Sequence, residues 1–298
     1  MFGILNLFKP AGPTSRDCVN RIQRLIRPTK VGHAGTLDPI AEGVLLIAVG
    51  QAVRLVDWIH LLPKTYRGTF ELGLTSPSVD TESEVTIVPS ASVPTVQDIE
   101  AILPEFLGSI SQVPPIYSAV RIDGKRAYES ARAGESVEIP ARQVMIHQLS
   151  IVEWVYPKLV LDIECSTGTY IRSLGRDMAR RLGTDAIMTQ LLRSTIGDFA
   201  SNDGLQLEDL NSVQSIEDNL CNPVRCLTHF PKMTLDEDDI KRLHQGKLLK
   251  LPNVDFTPNS NHPEHVIVLD SSGRLQSILS RYDQQHWRPY RNFLETST

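Results

Sequence analysis

The sequence predicts an α+β fold. Helical and strand patterns follow one another without a regular βαβ repeat. Two segments, Tyr66–Gly73 and Leu159–Cys165, alternate apolar and polar residues as strands with one solvated face do. Two others repeat apolar residues at the helical period.

Taken in order, Ser15 is placed to cap a helix running to Arg27, with Cys18, Val19, Ile22, Leu25 and Ile26 on one face and Pro28 as its stop. A turn-like segment, Val31–Pro39, leads into the apolar run Gly43–Val49, the pattern of a buried strand. Thr95 caps a helix carrying Val96, Ile99, Ile102, Leu103 and Phe106, and Asp98 suits its first turn. The strand ending at Cys165 passes through Ser-Thr-Gly-Thr into a helix with Ile171, Leu174, Met178 and Leu182 inward and Gly183 as its stop.

A second unit is expected from Pro231. Asp236–Asp239 open a helix that Lys241, Arg242 and Lys247 close, each charge favourable to the helix dipole. Val266–Leu269 and Leu275–Leu279, joined through Ser271-Ser-Gly273, read as a β-hairpin. Arg281, Arg288 and Arg291 with Tyr282, Trp287 and Tyr290 form a basic, aromatic strip. The expected division is residues 1–230 and a β-rich module at 231–298.

The chain has 298 residues, 41% of them hydrophobic and 22% charged, which fits a soluble globular protein with length for one large core or two domains. Its longest apolar run, Val44–Val49, is too short to span a bilayer, and the N-terminus lacks the features of a signal peptide. The four cysteines are scattered, with no C-x-x-C pair. They read as free thiols of a reducing cytoplasm, and no structural metal is expected.

A net charge of −5 argues at first against nucleic acid, but the charge is unevenly spread. Asp80–Glu105 holds six acids and no Lys or Arg, and Asp198–Leu220 holds six more. Without those twelve the chain is net positive. Cations gather as Arg16, Arg21, Arg24, Arg27 and Lys30; as Arg121, Lys125, Arg126 and Arg132; and as Arg172, Arg176, Arg180, Arg181 and Arg193. Such groups are either solvated helix faces or the footprint of a polyanion.

Four segments are candidates for chemistry. Val31–Gly43 packs three glycines, His33, Asp38 and Pro39 into a loop of fixed shape, in which Asp38 is either a carboxylate presented with little freedom or the cap of a turn. Cys165–Gly175 sets Arg172 near a helix N-terminus, where the dipole disfavours a cation, so it needs a carboxylate such as Asp38 or a phosphate. Lys64–Arg67 flanks Tyr66 with cations, suiting either a stacked base or a strand-edge core position. Val113–Tyr128 is a rigid entry into a basic, aromatic turn. Neither a phosphate loop nor a nucleotide motif is present.

Leu5–Ser15 (Leu-Asn-Leu-Phe-Lys-Pro-Ala-Gly-Pro-Thr-Ser), Gly32–Pro39, Lys64–Arg67, Pro115–Ala119 and Gly168–Arg172 together resemble, in order, the motifs of the TruB family. These are bacterial pseudouridine synthases acting on uridine 55 in the T arm of tRNA. The likeness is collinear over about residues 2–200, and 231–298 resembles the family's PUA-like RNA-binding module. It implies a mixed, mostly antiparallel pseudouridine-synthase sheet flanked by helices. It also implies cofactor-free isomerisation of a flipped uridine, tRNA as partner, and no membrane or obligate protein partner. By the same resemblance Asp38 is the catalytic aspartate, Tyr66 stacks on the flipped base, and Arg172 pairs with the aspartate. Tyr170 and Leu191 line the base pocket, and His33 enters the space the base leaves.

Three rivals stand beside this reading. One is the RNA-guided relative acting on ribosomal RNA, which carries additional N-terminal sequence. Another is a tRNA-binding or folding protein in which isomerisation is secondary. The third, a hydrolase using Asp38 and His33, leaves Tyr66 and Arg172 without a task.

Overall fold

A computed structural model of the chain describes residues 1–88, 93–118, 121–122, 125–126, 139–251 and 265–293. It opens with β1 (Gly3–Lys9), α1 (Ser15–Leu25), β2 (Val31–Ala34), β3 (Ala41–Val49), a 3₁₀ turn at Gly50–Leu55, α2 (Val56–Ile59) and β4 (Lys64–Leu72). Next come β5 (Leu74–Thr75), β6 (Thr86–Ile87), α3 (Val96–Ile102), β7 (Gly108–Gln112), β8 (Arg121–Ile122) and β9 (Lys125–Arg126). The middle holds β10 (Arg142–Val155), β11 (Lys158–Cys165), α4 (Ile171–Arg181), β12 (Ala186–Ile196), β13 (Phe199–Ala200), β14 (Leu205–Gln206) and α5 (Val213–Asp218). The chain closes with β15 (Lys232–Thr234), α6 (Glu237–His244), β16 (Leu249–Lys250), β17 (His265–Leu269), β18 (Leu275–Arg281) and β19 (His286–Asn292).

The main sheet has the order β14-β1-β3-β12-β4-β11-β10-β7, with β13 on β12 and β2 on β3. Within this sheet, among the described residues, only β1–β14 and β3–β12 run parallel. The architecture is therefore the mixed, mostly antiparallel α+β sheet expected. The run Val44–Val49 is apolar throughout because both its faces are covered. Val44, Leu46 and Ala48 join one core cluster; Leu45, Ile47 and Val49 join another, under α1. On the far half of the sheet α4 lies over β12 and β4. It approaches so closely that a Cβ on Gly175 would sit 2.1 Å from the Phe70 ring.

Three local expectations need correction. Thr14, not Ser15, caps α1, forming a capping box with Asp17. Ser15 is turned inward instead. The helix ends at Leu25 rather than Arg27, because Pro28 disfavours helical backbone at the residue before it. Val31–Ala34, expected as part of a turn, pairs as β2 with the stretch of β3 that β12 leaves open.

The second sheet has the order β15-β17-β18-β19-β16, and β17–β18 is the expected hairpin. Val266, Val268, Leu279 and Trp287 pack with α6 in a core of their own. Ile267, Ile278 and Phe293 point the other way, into a cluster shared with Trp58, Leu62 and Phe230.

Candidate active site

The site lies where β3, β12 and β4 run side by side. Leu191–Arg193 of β12 pair with Ala41–Gly43 on one side, and Arg193 faces Tyr66 across the other. Gly43 has φ +104°, and a Cβ there would meet the Arg193 carbonyl at 2.2 Å, so only glycine lets the strands meet here. Register shifts in β12 fall on both sides of residues 190–193 and re-aim its side chains. The cavity they border measures about 370 Å³ and is lined by Asp38, Tyr66, Arg172, His33, Tyr170 and Leu191, the six residues singled out from sequence.

Asp38 sits on a loop pinned from three directions. The buried Ser15 hydroxyl donates to the Leu37 carbonyl at 3.1 Å and accepts from the Leu37 N–H at 2.9 Å. Gly12 N–H donates to the Pro39 carbonyl at 2.8 Å. Fully buried Lys9 donates Nζ to the Pro10, Pro39 and Ala41 carbonyls. Lys9–Ser15 is thus the cradle of the aspartate loop, a task its sequence alone did not disclose.

Arg172 lies at the second residue of α4 and is 4% exposed. Its Nε meets Asp38 Oδ2 at 3.0 Å, as the resemblance implies. Its Nη1 meets Asp80 Oδ2 at 2.9 Å and the Ser78 carbonyl at 2.7 Å, and Nη2 donates to the Tyr117 carbonyl at 3.1 Å. The cation misplaced at a helix N-terminus therefore has two carboxylates.

Asp80 was missed, having been counted in an acidic surface stretch, yet it is fully buried. Its backbone N–H donates to Ser76 Oγ at 3.1 Å, and Ser76 Oγ in turn bonds the Asp80 carbonyl at 2.6 Å. Val79 holds φ +61°, a costly conformation for a β-branched residue. That strained turn is what aims Asp80 at Arg172.

Burial pushes the Asp38 carboxyl above its usual range; Arg172 pulls it back, while the Asp80 carboxylate adds to the rise. The Arg172 pull toward the ionised form is present as expected but is smaller than the push of burial. Burial likewise raises the Tyr66 phenol, whose hydroxyl lies beside Arg193.

His33 is held down to about 4, first by burial and then by Arg16 and Arg193, and its buried Nδ1 has no hydrogen-bond partner among the described residues. Lys64 is lowered to about 8 by burial and by Arg193. The site's cations are tied to carbonyls: Arg193 gives Nε to Val44 at 2.7 Å and Nη2 to Gly35 at 3.1 Å. Tyr170 carries the Arg142 guanidinium 5.0 Å from its ring centre and is fixed through its backbone by Gln112.

The basic groups divide. Arg172 and Arg193 belong to the site, while Arg176, Arg180 and Arg181 pair with Asp177, Asp185 and Glu105 at 2.8–3.1 Å. That group is not one open basic face, because acids sit against it, and of these only Glu105 was among those set aside in the charge count. Arg132 lies outside the described residues. Cys18, Cys165 and Cys226 are buried free thiols and Cys221 is half-buried. Among the described residues no helix is long and apolar enough to cross a membrane, and no group of three or more His, Cys, Asp or Glu could hold a metal ion.

Comparison with known proteins agrees in family. Residues 23–171 match the family model described as TruB family pseudouridylate synthase, N terminal domain. The chain is 38% identical over 276 residues to tRNA pseudouridine synthase B of Rhodopirellula baltica, covering 88% of this chain and 79% of that protein. It is 43% identical over 259 residues to the Synechocystis protein of the same name, covering 85% and 87%. In fold it is similar to a chain of a Cbf5-Nop10-Gar1 complex, with a TM-score of 0.75 at 22% identity, covering 98% of this chain and 85% of that one.

Proposed function

The chain belongs to the TruB family of pseudouridylate synthases, and from that premise we propose that it isomerises uridine 55 in the T arm of tRNA to pseudouridine. The observation that carries the reading is Asp38 held by Arg172 in a cavity that Tyr66 also lines. The reaction breaks N1–C1′, turns the base and joins C5 to C1′. It changes no oxidation state, so its balance calls for no redox cofactor.

The target uridine lies inside a folded loop and must be extruded, which costs a few kcal/mol of unstacking. Tyr66 offsets part of this by stacking on the base; Tyr170 and Leu191 close the pocket around it. His33 fills the gap the base leaves. An ionised Asp38 serves attack at C1′, attack at C6 or removal of a sugar proton alike. Arg172, anchored by Asp80, keeps Asp38 aimed and pulls it toward the charged form against the push of burial.

In this reading residues 1–230 form the catalytic domain and 231–298 a PUA-like RNA-binding module. The enzyme acts in the cytoplasm without an obligate protein partner. The test is an unmodified tRNA transcript incubated with the protein, a chelator and no guide RNA, followed by nucleoside mass mapping. Pseudouridine at position 55 alone is expected; a requirement for guide RNA would overturn the standalone reading.

A further inference from the structure

The C-terminal sheet approaches the wall of the cavity by way of the 3₁₀ turn and α2. Residues 290–293, at the end of β19, grip the 3₁₀ turn and α2 along their length. The Arg54 guanidinium donates to the Asn292 carbonyl at 2.6 Å and lies 5.1 Å from the centre of the Phe293 ring, which itself stacks on Phe2 at 5.5 Å. One turn further on, the Arg291 guanidinium covers Trp58 at 4.4 Å and reaches Asp57 at 3.7 Å. The opposite contacts of Trp58 are edge-on, to Tyr290 at 5.8 Å and to His265 at 5.7 Å.

The other end of that segment is the wall of the cavity. His60, which follows α2, lines the cavity together with Lys64. The His60, Leu61 and Leu62 N–H groups bond back to the carbonyls of Val56, Trp58 and Ile59. Buried Lys64 donates Nζ to the His60 and Leu62 carbonyls, tying α2 to the first residue of β4. Tyr66 stands two residues along that strand, on the same face. Trp58 and Leu62 are buried in the cluster that contains Ile267, Ile278 and Phe293, so the path from module to wall is packed throughout.

We propose that Arg291 of the C-terminal module, gripping Trp58, is a positioning residue that sets α2 and thereby Lys64 and Tyr66 in the active site. The proposal rests on the isomerase reading above. A cation over an indole is directional as well as adhesive, so loss of the planar guanidinium frees α2 to shift without emptying the core. Displacement of a stacking ring by a fraction of an ångström slows chemistry while leaving the spread-out phosphate contacts of an RNA intact.

The test compares wild type with Arg291→Ala, Arg291→Lys, Trp58→Ala and Trp58→Phe, each checked by thermal melting. In Arg291→Ala and Trp58→Ala the single-turnover rate on tRNA should fall about tenfold, with affinity for the same tRNA within about twofold. Trp58→Phe, which keeps a ring under Arg291, should recover most of the rate. Hydrogen exchange at the His60, Leu61 and Leu62 amides should quicken in the two alanine variants, with the β10–β11 amides unchanged.

A folded Arg291→Ala protein with wild-type rate and wild-type exchange overturns the proposal. So does a loss of affinity equal to the loss of rate with exchange unchanged, which would make Arg291 a direct RNA contact. If Arg291→Ala does not fold, Arg291→Lys decides, since it keeps charge and length but not the plane: a slowed rate with quickened exchange supports the proposal, and wild-type rate and exchange overturn it. If the wild-type protein makes no pseudouridine, the isomerase reading fails, and the exchange measurement still decides whether the module sets α2.

Discussion

Asp38 and Asp80 share the guanidinium of Arg172, one on Nε at 3.0 Å and the other on Nη1 at 2.9 Å. Asp38 is partly open to the cavity, while Asp80 is fully buried behind the arginine. The outer carboxylate is the one that opens to the cavity; the inner one holds the fork from behind. Asp80→Asn keeps shape and one hydrogen bond but lets the fork pivot. Its turnover should drop by about ten- to a hundredfold, with tRNA affinity unchanged. Arg172→Lys should be at least as damaging, because a point charge cannot span both carboxylates. Single-turnover isomerisation beside a binding titration separates the effects.

Asp38→Asn removes the charge and keeps the loop. Turnover should vanish while affinity stays within a few-fold, since affinity rests on contacts spread over a wide surface. In the unchanged protein the rate should rise with pH as Asp38 ionises. Because burial raises the folded-state pKa, that acid limb should lie above 3.8, the ordinary Asp value. An acid limb at the ordinary value would mean that Asp38 is better solvated than its place in the cavity implies.

The loop cradle makes a stability prediction. Ser15→Ala strips a buried partner from both backbone groups of Leu37, which should cost about 1–3 kcal/mol in urea unfolding. Lys9→Met leaves the Pro10, Pro39 and Ala41 carbonyls short of a donor and should cost at least as much. Both variants should also lose rate, since Asp38 hangs from the residues they release.

The sequence made the outer carboxylate legible and the inner one not. Asp38 stood out because glycines and a proline surround it, and Arg172 because a helix N-terminus repels a cation. Asp80 sits among Ser, Thr and Glu in a stretch that reads as solvated surface. Only the tertiary fold, through the strained Val79 turn, buries it. Lys9 and Ser15 are similar: each belongs to a motif visible in sequence, but their tasks depend on which carbonyls the folded loop brings within reach. The strand patterns of β3, β4 and β11 were plain because burial on one or two faces writes itself into residue order. The edge strand β2 was not, because a four-residue strand carries too little pattern to outweigh its glycine and histidine.

His33 links stability to pH. In the folded protein it stays neutral down to about 4, whereas in the unfolded chain it charges near 6.5. Below 6.5 the unfolded state therefore binds the extra proton, so the His33 contribution to stability falls as pH drops from about 6.5 to about 4 and then levels off. His60, also lowered by burial, acts in the same direction. His33→Gln should flatten the slope of unfolding free energy against pH in this window, leaving the His60 share. An unchanged slope would place His33 in contact with solvent in the folded state.

Tyr66 offers the sharpest separation of ring from hydroxyl. Its ring borders the cavity and packs against the core under α4, while its hydroxyl lies beside Arg193. If the ring's task is to stack on the extruded base, Tyr66→Phe keeps it and should retain most of the rate. The lost hydroxyl leaves Arg193 its bonds to Val44 and Gly35. Tyr66→Leu stays apolar but loses the π face, and base stacking is worth about 1–3 kcal/mol, so its rate should fall between about fivefold and about 150-fold. Thermal melting of both variants separates a difference in rate from the packing that Leu loses where the ring stood. If instead Phe is as slow as Leu, the hydroxyl and not the ring carries the function of Tyr66, and the stacking role assigned to it is wrong.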